Sequence, residues 1–268
     1  REQFGKQLSP DVLLRAKSLQ DIYAHINQPG PGNSDIVSEA EAVAHDRALT
    51  VHCCLPSSAD RIATSDSRHI FLTGATGFLG ANVLSHLLQR SCATIHCLVR
   101  RNTLPGDSTP LQRIIDAFVL FRLEPLDTSR IQIVQGDLSL PSFGLSPSEF
   151  ERLSCSVDCV FHVGAHVNWL LDYRSARAPN VQGTHTVLKL ATYGRPKTLH
   201  YCSTISVACG NNEDDALSEA HLRQLLHAAC NGYGVSKWIA EEMVWRASAK
   251  GLPTVIYRPG MITGHTQT

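Results

Sequence analysis

Long hydrophobic runs are missing from this chain of 268 residues. None approaches the ~20 consecutive apolar residues that a membrane-crossing helix requires. Net charge is missing as well: Lys+Arg and Asp+Glu stand at 24 each, and charged residues make up only 18%. That balance argues against a basic field for nucleic acid or anionic lipid. There are nine cysteines, an odd number, and no C-x-x-C pair. A disulfide frame and a zinc site are therefore not expected, and the thiols read as the reduced cysteines of a cytosolic protein. Cys97, Cys159 and Cys202 fall in strand-like runs, where a thiol serves as a small core hydrophobe. The thirteen histidines are scattered. His162 and His166 have i,i+4 spacing, but their strand-to-loop context does not make a zinc pair. The opening Arg1-Glu2-Gln3-Phe4-Gly5 carries neither an initiator Met nor a signal-peptide core, and reads as a piece of a longer intracellular protein. Core material is plentiful: 43% hydrophobic residues suit one large domain, or one domain with appendages.

Three textures follow one another. In residues 1–26, Val12, Leu13, Leu14, Leu19, Ile22, Tyr23 and Ile26 recur at helical intervals. Gln28-Pro29-Gly30-Pro31-Gly32-Asn33-Ser34 then punctuates the chain. Residues 33–66 are polar and rich in Ala and Ser, with room for one helix around Ile36–Arg47, and read as a linker or docking arm. From about His69 short apolar strands alternate with amphipathic helices. The strands are expected at His69–Thr73, Thr94–Val99, Ile131–Gln135, Cys159–Val163, Leu199–Ser203 and Thr254–Tyr257. The helices are expected near 79–90, 109–122, 147–153, 175–193 and 231–250. This alternation predicts an α/β fold, a doubly wound parallel sheet of Rossmann-like type with right-handed crossovers.

The first strand runs into Thr73-Gly74-Ala75-Thr76-Gly77-Phe78-Leu79-Gly80. Glycines at this spacing permit a tight turn, close approach of the backbone to a pyrophosphate, and close packing of helix on strand. The helix that follows would point its N-terminal amides at the phosphates. Gly74, Thr76, Gly77, Phe78, Leu79 and Gly80 are therefore candidate cofactor-binding residues. The wider first spacing resembles extended short-chain dehydrogenase/reductases. The second strand ends Cys97-Leu98-Val99-Arg100-Arg101, where an enzyme using NAD would place an acidic residue. Arg100, with Arg101 beside it, suits a ribose 2′-phosphate instead, and the cofactor expected is NADPH. Asp137 and Leu138, after the third strand, fall where such folds approach the adenine, although a turn-capping role for Asp137 is equally open. Gly164 and Ala165, after the fourth strand, are small enough to let backbone meet the nicotinamide ribose. His166 and Asn168 read as loop-ordering residues, and Asn180 as a structural residue opening a helix. Tyr257-Arg258-Pro259-Gly260, which ends the sixth strand, is expected to line the nicotinamide side.

Tyr233-Gly234-Val235-Ser236-Lys237 sets a phenol and an ammonium one helical turn apart on one face. Proximity of Lys237 is expected to lower the Tyr233 pKa from its reference near 10. Three hydroxyls, Ser203, Thr204 and Ser206, follow the fifth strand, and the resemblance to extended reductases singles out Thr204. A Thr204–Tyr233–Lys237 triad is the catalytic expectation.

With those residues placed, a narrower likeness stands out. Thr73–Gly80, Cys97–Arg101, Gly136–Leu138, His166–Trp169, Tyr201–Val207, Tyr233–Glu241 and Tyr257–Gly264 together resemble thioester reductase domains. Such domains end some nonribosomal peptide synthetases, α-aminoadipate reductases and carboxylic acid reductases. Phe4-Gly5-Lys6-Gln7-Leu8-Ser9 and Ser18-Leu19-Gln20-Asp21-Ile22 look like the closing helices of a peptidyl carrier domain. The resemblance implies carrier helices in 1–26, a connecting arm in 27–66, and an NADP-binding reductase in 67–268 that lacks its C-terminal substrate lobe. It also implies the reaction: NADPH-dependent release of a phosphopantetheinyl thioester as an aldehyde, or onward to the alcohol. An acyl-CoA reductase, a sugar-nucleotide epimerase or dehydratase, and a non-catalytic NADP-binding sensor are the alternatives.

Overall fold

The computed structural model describes residues 39–51, 67–101, 108–170, 172–194, 197–208 and 231–264. The expected carrier helices in 1–26 lie outside the described residues. Strands apolar along their whole length need cover on both faces, which parallel sheets with crossover helices supply. The observed strands are β1 (His69–Thr73), β2 (Thr94–Val99), β3 (Ile131–Gln135), β4 (Cys159–His162), β5 (Thr198–Cys202) and β6 (Thr254–Tyr257). They lie in the order β3-β2-β1-β4-β5-β6. All five pairings are parallel, with Leu72 opposite Cys97 and Thr73 opposite His162. The chain reverses direction across the sheet between β1 and β4, and at such a switch point a crevice opens beyond the strand ends.

Alternation along β1 divides the core. Ile70 and Leu72 pack with Ile95, Cys97, Leu84 and Phe118 on the side of helices α2 (Phe78–Arg90) and α3 (Pro110–Leu120). Phe71 faces the other way, among Leu98, Phe143, Val160, Tyr201, Val187 and Ile239. Three helices supply that second layer: α4 (Pro147–Ser156), α6 (Gly183–Thr192) and α7 (Gly232–Ala249). Their starts are local chemistry. Ser146 and Glu149 form a capping box ahead of α4, and Asn231 caps α7 by accepting from the Gly234 amide at 2.8 Å.

The single helix expected over 175–193 is divided. Helix α5 (Tyr173–Arg177) passes through a π-helical turn, Ala178–Gln182, into α6. Pro179 has no N–H to donate, so the regular ladder cannot continue through it. Asn180 therefore sits inside the wide turn, 1% exposed, and does not open a helix.

The polar arm holds one further element, helix α1 (Glu39–Ala48), packed on α5 and α7. Its anchor is a charged residue. Asp46 is fully buried and accepts hydrogen bonds from the Tyr173 hydroxyl at 2.5 Å and from Arg177 Nη2 at 2.7 Å. Burial pushes the Asp46 carboxyl up, but hydrogen bonds from Arg177, Tyr173 and His45 outweigh it and hold the group below its ordinary value. Arg47 pairs with Glu242 at 3.1 Å and lies 5.1 Å from the Trp238 ring centre. Lys250 reaches the Val51 carbonyl at 3.2 Å, so residues 39–51 rest on the outer side of α7.

Candidate active site

The carboxyl ends of β1, β4, β5 and β6 open into one cleft of about 660 Å³. Its first wall is the turn after β1. Gly74 holds φ at 83°, where glycine is unstrained, and a β-carbon there would lie 2.7 Å from the Gly164 nitrogen. At Gly80 a β-carbon would fall 1.9 Å from the Gly74 carbonyl oxygen, so helix and strand meet at a separation that only glycine permits. Gly77 is different: the nearest atom to its would-be β-carbon is 3.5 Å away, and the residue lines the cleft. Helix α2 starts there with no side-chain cap and no acidic residue in its first turn. Its N-terminal amides are left for an anion, and this cradle fits a dinucleotide pyrophosphate. Thr76, Phe78 and Leu79 complete the wall.

Gly164 and Ala165 form the facing wall with Val163, as expected for a close approach. Beneath them runs a buried polar chain. Thr73 Oγ1 accepts from the Gly164 amide at 2.9 Å and pairs with His162 Nδ1 at 2.8 Å. His162 Nε2 meets Thr184 Oγ1 at 3.0 Å, and Thr184 donates to the Asn180 carbonyl at 2.6 Å. Asn180 Oδ1 accepts from the His166 amide at 2.7 Å, and its Nδ2 donates to Ser236 Oγ at 2.9 Å. Burial, reinforced by the Lys237 charge, brings the His162 pKa down to about 3, so the imidazole is neutral. Asn168 orders its loop by accepting from the Leu170 amide. His166 takes part through its backbone.

The third wall carries the triad residues. Tyr233 is 6% exposed, with the Thr204 hydroxyl close enough to favour its phenolate form. The indole of Trp169 lies 6.5 Å from the phenol ring. Among the three hydroxyls after β5, Ser203 donates to Glu241 and Ser206 accepts from Thr204 at 3.2 Å. Thr204 is the one turned to Tyr233. Lys237 Nζ donates to the Cys202 carbonyl at 2.7 Å and sits 4.3 Å from the Tyr201 ring centre. The expected lowering of the Tyr233 pKa is not found. Burial, with Cys202 adding to it, pushes the phenol up, and the Thr204 hydroxyl only partly offsets this. Burial brings Lys237 down to about 8. Pro259 and Gly260 line the same cleft.

Arg100, Arg101 and Asp137 line a separate hollow of about 530 Å³, beyond the ends of β2 and β3. Asp137 accepts from the Ser139 amide at 2.8 Å, the turn-capping role. Leu138 lines neither space; its Cδ1 lies 2.9 Å from where a β-carbon on Gly164 would be. Sequence reasoning missed Arg113, which reaches this hollow from α3 and donates to the Arg100 carbonyl. Its Nε is buried without a hydrogen-bond partner. On an amphipathic helix an arginine reads as a solvated charge, and nothing local marks it. Tyr257 and Arg258 do not line the cleft; Arg258 turns instead to Glu241 in a largely buried ion pair, which was missed because the two residues carry no shared local pattern. Among the described residues no group of three or more His, Cys, Asp or Glu could hold a metal ion, and no helix is long and apolar enough to cross a membrane.

Comparison with known proteins agrees with this geometry. The sequence profile described as male sterility protein, an NAD-binding family, matches residues 72–268. A linear gramicidin synthase polypeptide of Brevibacillus parabrevis is 34% identical over 263 residues, covering 97% of this chain and 5% of that protein. The nonribosomal peptide synthetase asaC of Aspergillus flavus is 40% identical over 205 residues, covering 73% of this chain and 20% of its own length. The solved terminal R domain from the myxalamid PKS-NRPS biosynthetic pathway is 40% identical with a TM-score of 0.73. It covers 84% of this chain, which spans 57% of that structure.

Proposed function

We propose, for a chain that belongs to the male sterility protein family of NAD-binding domains and to the terminal reductases of nonribosomal peptide synthetases within it, that it reduces a carrier-bound acyl thioester with NADPH and releases an aldehyde. The observation that carries this reading is a single cleft lined by both the Gly74–Gly80 turn and the Thr204, Tyr233 and Lys237 side chains. Gly74, Gly77, Gly80 and the first turn of α2 hold the pyrophosphate. Arg100, Arg101 and Arg113, gathered in one hollow, take the 2′-phosphate and make the cofactor NADPH.

When bound, the reduced nicotinamide supplies a hydride to the thioester carbonyl carbon. The residues of the chain manage the charge that appears on oxygen. Tyr233, kept a phenol at neutral pH by burial, donates its proton to the developing oxyanion. Thr204 holds that phenol in place and offers a second hydroxyl to the same oxygen. Lys237, below the phenol on α7, supplies positive charge at neutral pH. The product is a hemithioacetal, whose carbon–sulfur bond then breaks to give aldehyde and free phosphopantetheine thiol. Onward reduction of the aldehyde to the alcohol would consume a second NADPH and a second proton, given again by Tyr233.

On this reading residues 1–26 belong to the carrier that delivers the thioester, 27–66 to the connecting arm and 67–268 to the reductase. The described cysteines are all free, which supports a cytoplasmic site of action. The test is to supply the protein with NADPH and an acyl-phosphopantetheinyl carrier, then follow nicotinamide absorbance and trap the aldehyde. Preference for the CoA ester over the carrier-linked ester would favour an acyl-CoA reductase. Turnover undiminished in Tyr233→Phe would end the proposal.

A further inference from the structure

Glu241 lies one helical turn beyond Lys237 on α7, on the side away from Tyr233, and is 4% exposed. Its carboxylate accepts hydrogen bonds from each neighbouring element. Ser203 Oγ donates from the tip of β5 at 2.5 Å. Arg258, at the tip of β6, forms an ion pair with it, Nε contacting Oε1 at 3.1 Å and Oε2 at 3.2 Å. Trp245 Nε1 donates at 3.1 Å from the next turn of α7. Ser203 precedes Thr204, and Arg258 precedes Pro259 and Gly260, so the residues bound to Glu241 from the two strand tips each adjoin a residue that lines the cleft.

We infer that Glu241 is a positioning residue of this site: its carboxylate gathers the tips of β5 and β6 onto α7 and keeps the neighbouring Lys237 side chain an ammonium. The groups facing Lys237 support the second half. On β5, Tyr201 presents its ring and Cys202 a thiol that burial pushes up and so keeps uncharged at neutral pH. On β4, His162 is neutral. Tyr233, on the same helix, is a phenol. Of the groups that favour the charged lysine, Cys202 and Glu241, only Glu241 brings a negative charge at neutral pH. The carboxylate also stands against the Arg258 guanidinium, which would otherwise oppose a second buried cation.

The catalytic meaning of this inference rests on the reductive reading above, but its electrostatic content does not. Competitive labelling of Lys237 by acetic anhydride, read by mass spectrometry across pH, measures the amine without cofactor or turnover. In Glu241→Gln the unprotonated fraction at pH 7 should rise, and labelling with it, by about fivefold, the change that a fall of one unit from about 8 produces. Labelling that follows the native profile in the folded variant overturns the inference. Should that variant fail to fold, Glu241→Gln with Arg258→Met removes both buried charges and takes its place. Lys237 should still label faster there than in the native protein, and equal labelling overturns the inference just as firmly. With acyl carrier and NADPH, the alkaline limb of kcat should move to lower pH in the same variants. A native protein that labels as expected yet shows no NADPH-dependent turnover would refute the reductive reading and leave Glu241's role standing.

Discussion

Replacing Asp46 by Ala should cost this domain far more than its place in a polar arm suggests. The carboxylate is fully buried, while the guanidinium of Arg177 keeps 28% of its side-chain surface. Removing one partner of a buried pair costs about 3–5 kcal/mol, because the other charge stays behind unpaired. Water reaching Arg177 reduces that figure, and the stranded hydroxyl of fully buried Tyr173 adds to it. A loss of about 3–5 kcal/mol corresponds to about 6–20 °C in Tm for a domain of this size. The sign of the pH dependence follows from a folded pKa below the unfolded one. The stabilisation is complete above the unfolded carboxylate value near 3.9 and disappears as pH falls through the folded value. Native and variant curves should therefore converge in acid. Urea unfolding of the native protein, Asp46→Ala, Arg177→Met and the double variant gives the coupling energy directly. A loss below about 1 kcal/mol, or additive single effects, would refute the view that the arm is anchored by this pair.

The cofactor assignment predicts that Arg113→Ala, like Arg100→Ala, weakens NADPH by about 10- to 100-fold. NADH binding should change little, and equal losses for both nucleotides in fluorescence titrations would remove the 2′-phosphate from this hollow. Tyr233→Phe should leave NADPH affinity within about twofold of native while turnover falls below detection. Because Lys237 titrates at about 8, native kcat should decline as pH rises through that value, and a profile flat to pH 10 would dissociate Lys237 from the chemistry.

The sheet was legible because each strand is a short, mostly apolar run, and nearly all are followed at once by a glycine, an arginine or a serine. The ends of β1, β2, β3 and β6 fall where the sequence puts them, and β4 and β5 differ by a single residue. The cradle and the Tyr-Lys turn were legible for another reason: each is a local spacing that backbone geometry imposes. Other features depend on what folding brings together. Asp46 is the buried residue of α1, the inverse of the pattern by which a docked helix is recognised. Arg113 meets the Arg100 carbonyl, and Glu241 meets Ser203 and Arg258, only across elements. The direction of the Tyr233 shift turned on burial, which competes with a neighbouring cation and leaves no trace in residue order.

The three glycines of the first turn answer to different masters. At 74 and 80 the polypeptide itself forbids a methyl group, because its own peptide units already occupy the space. At 77 the protein would admit one, and only the guest in the crevice would object. Drift in a lineage that abandoned its nucleotide would therefore reach position 77 first, leaving the other two as a fossil of the fold and not of its chemistry.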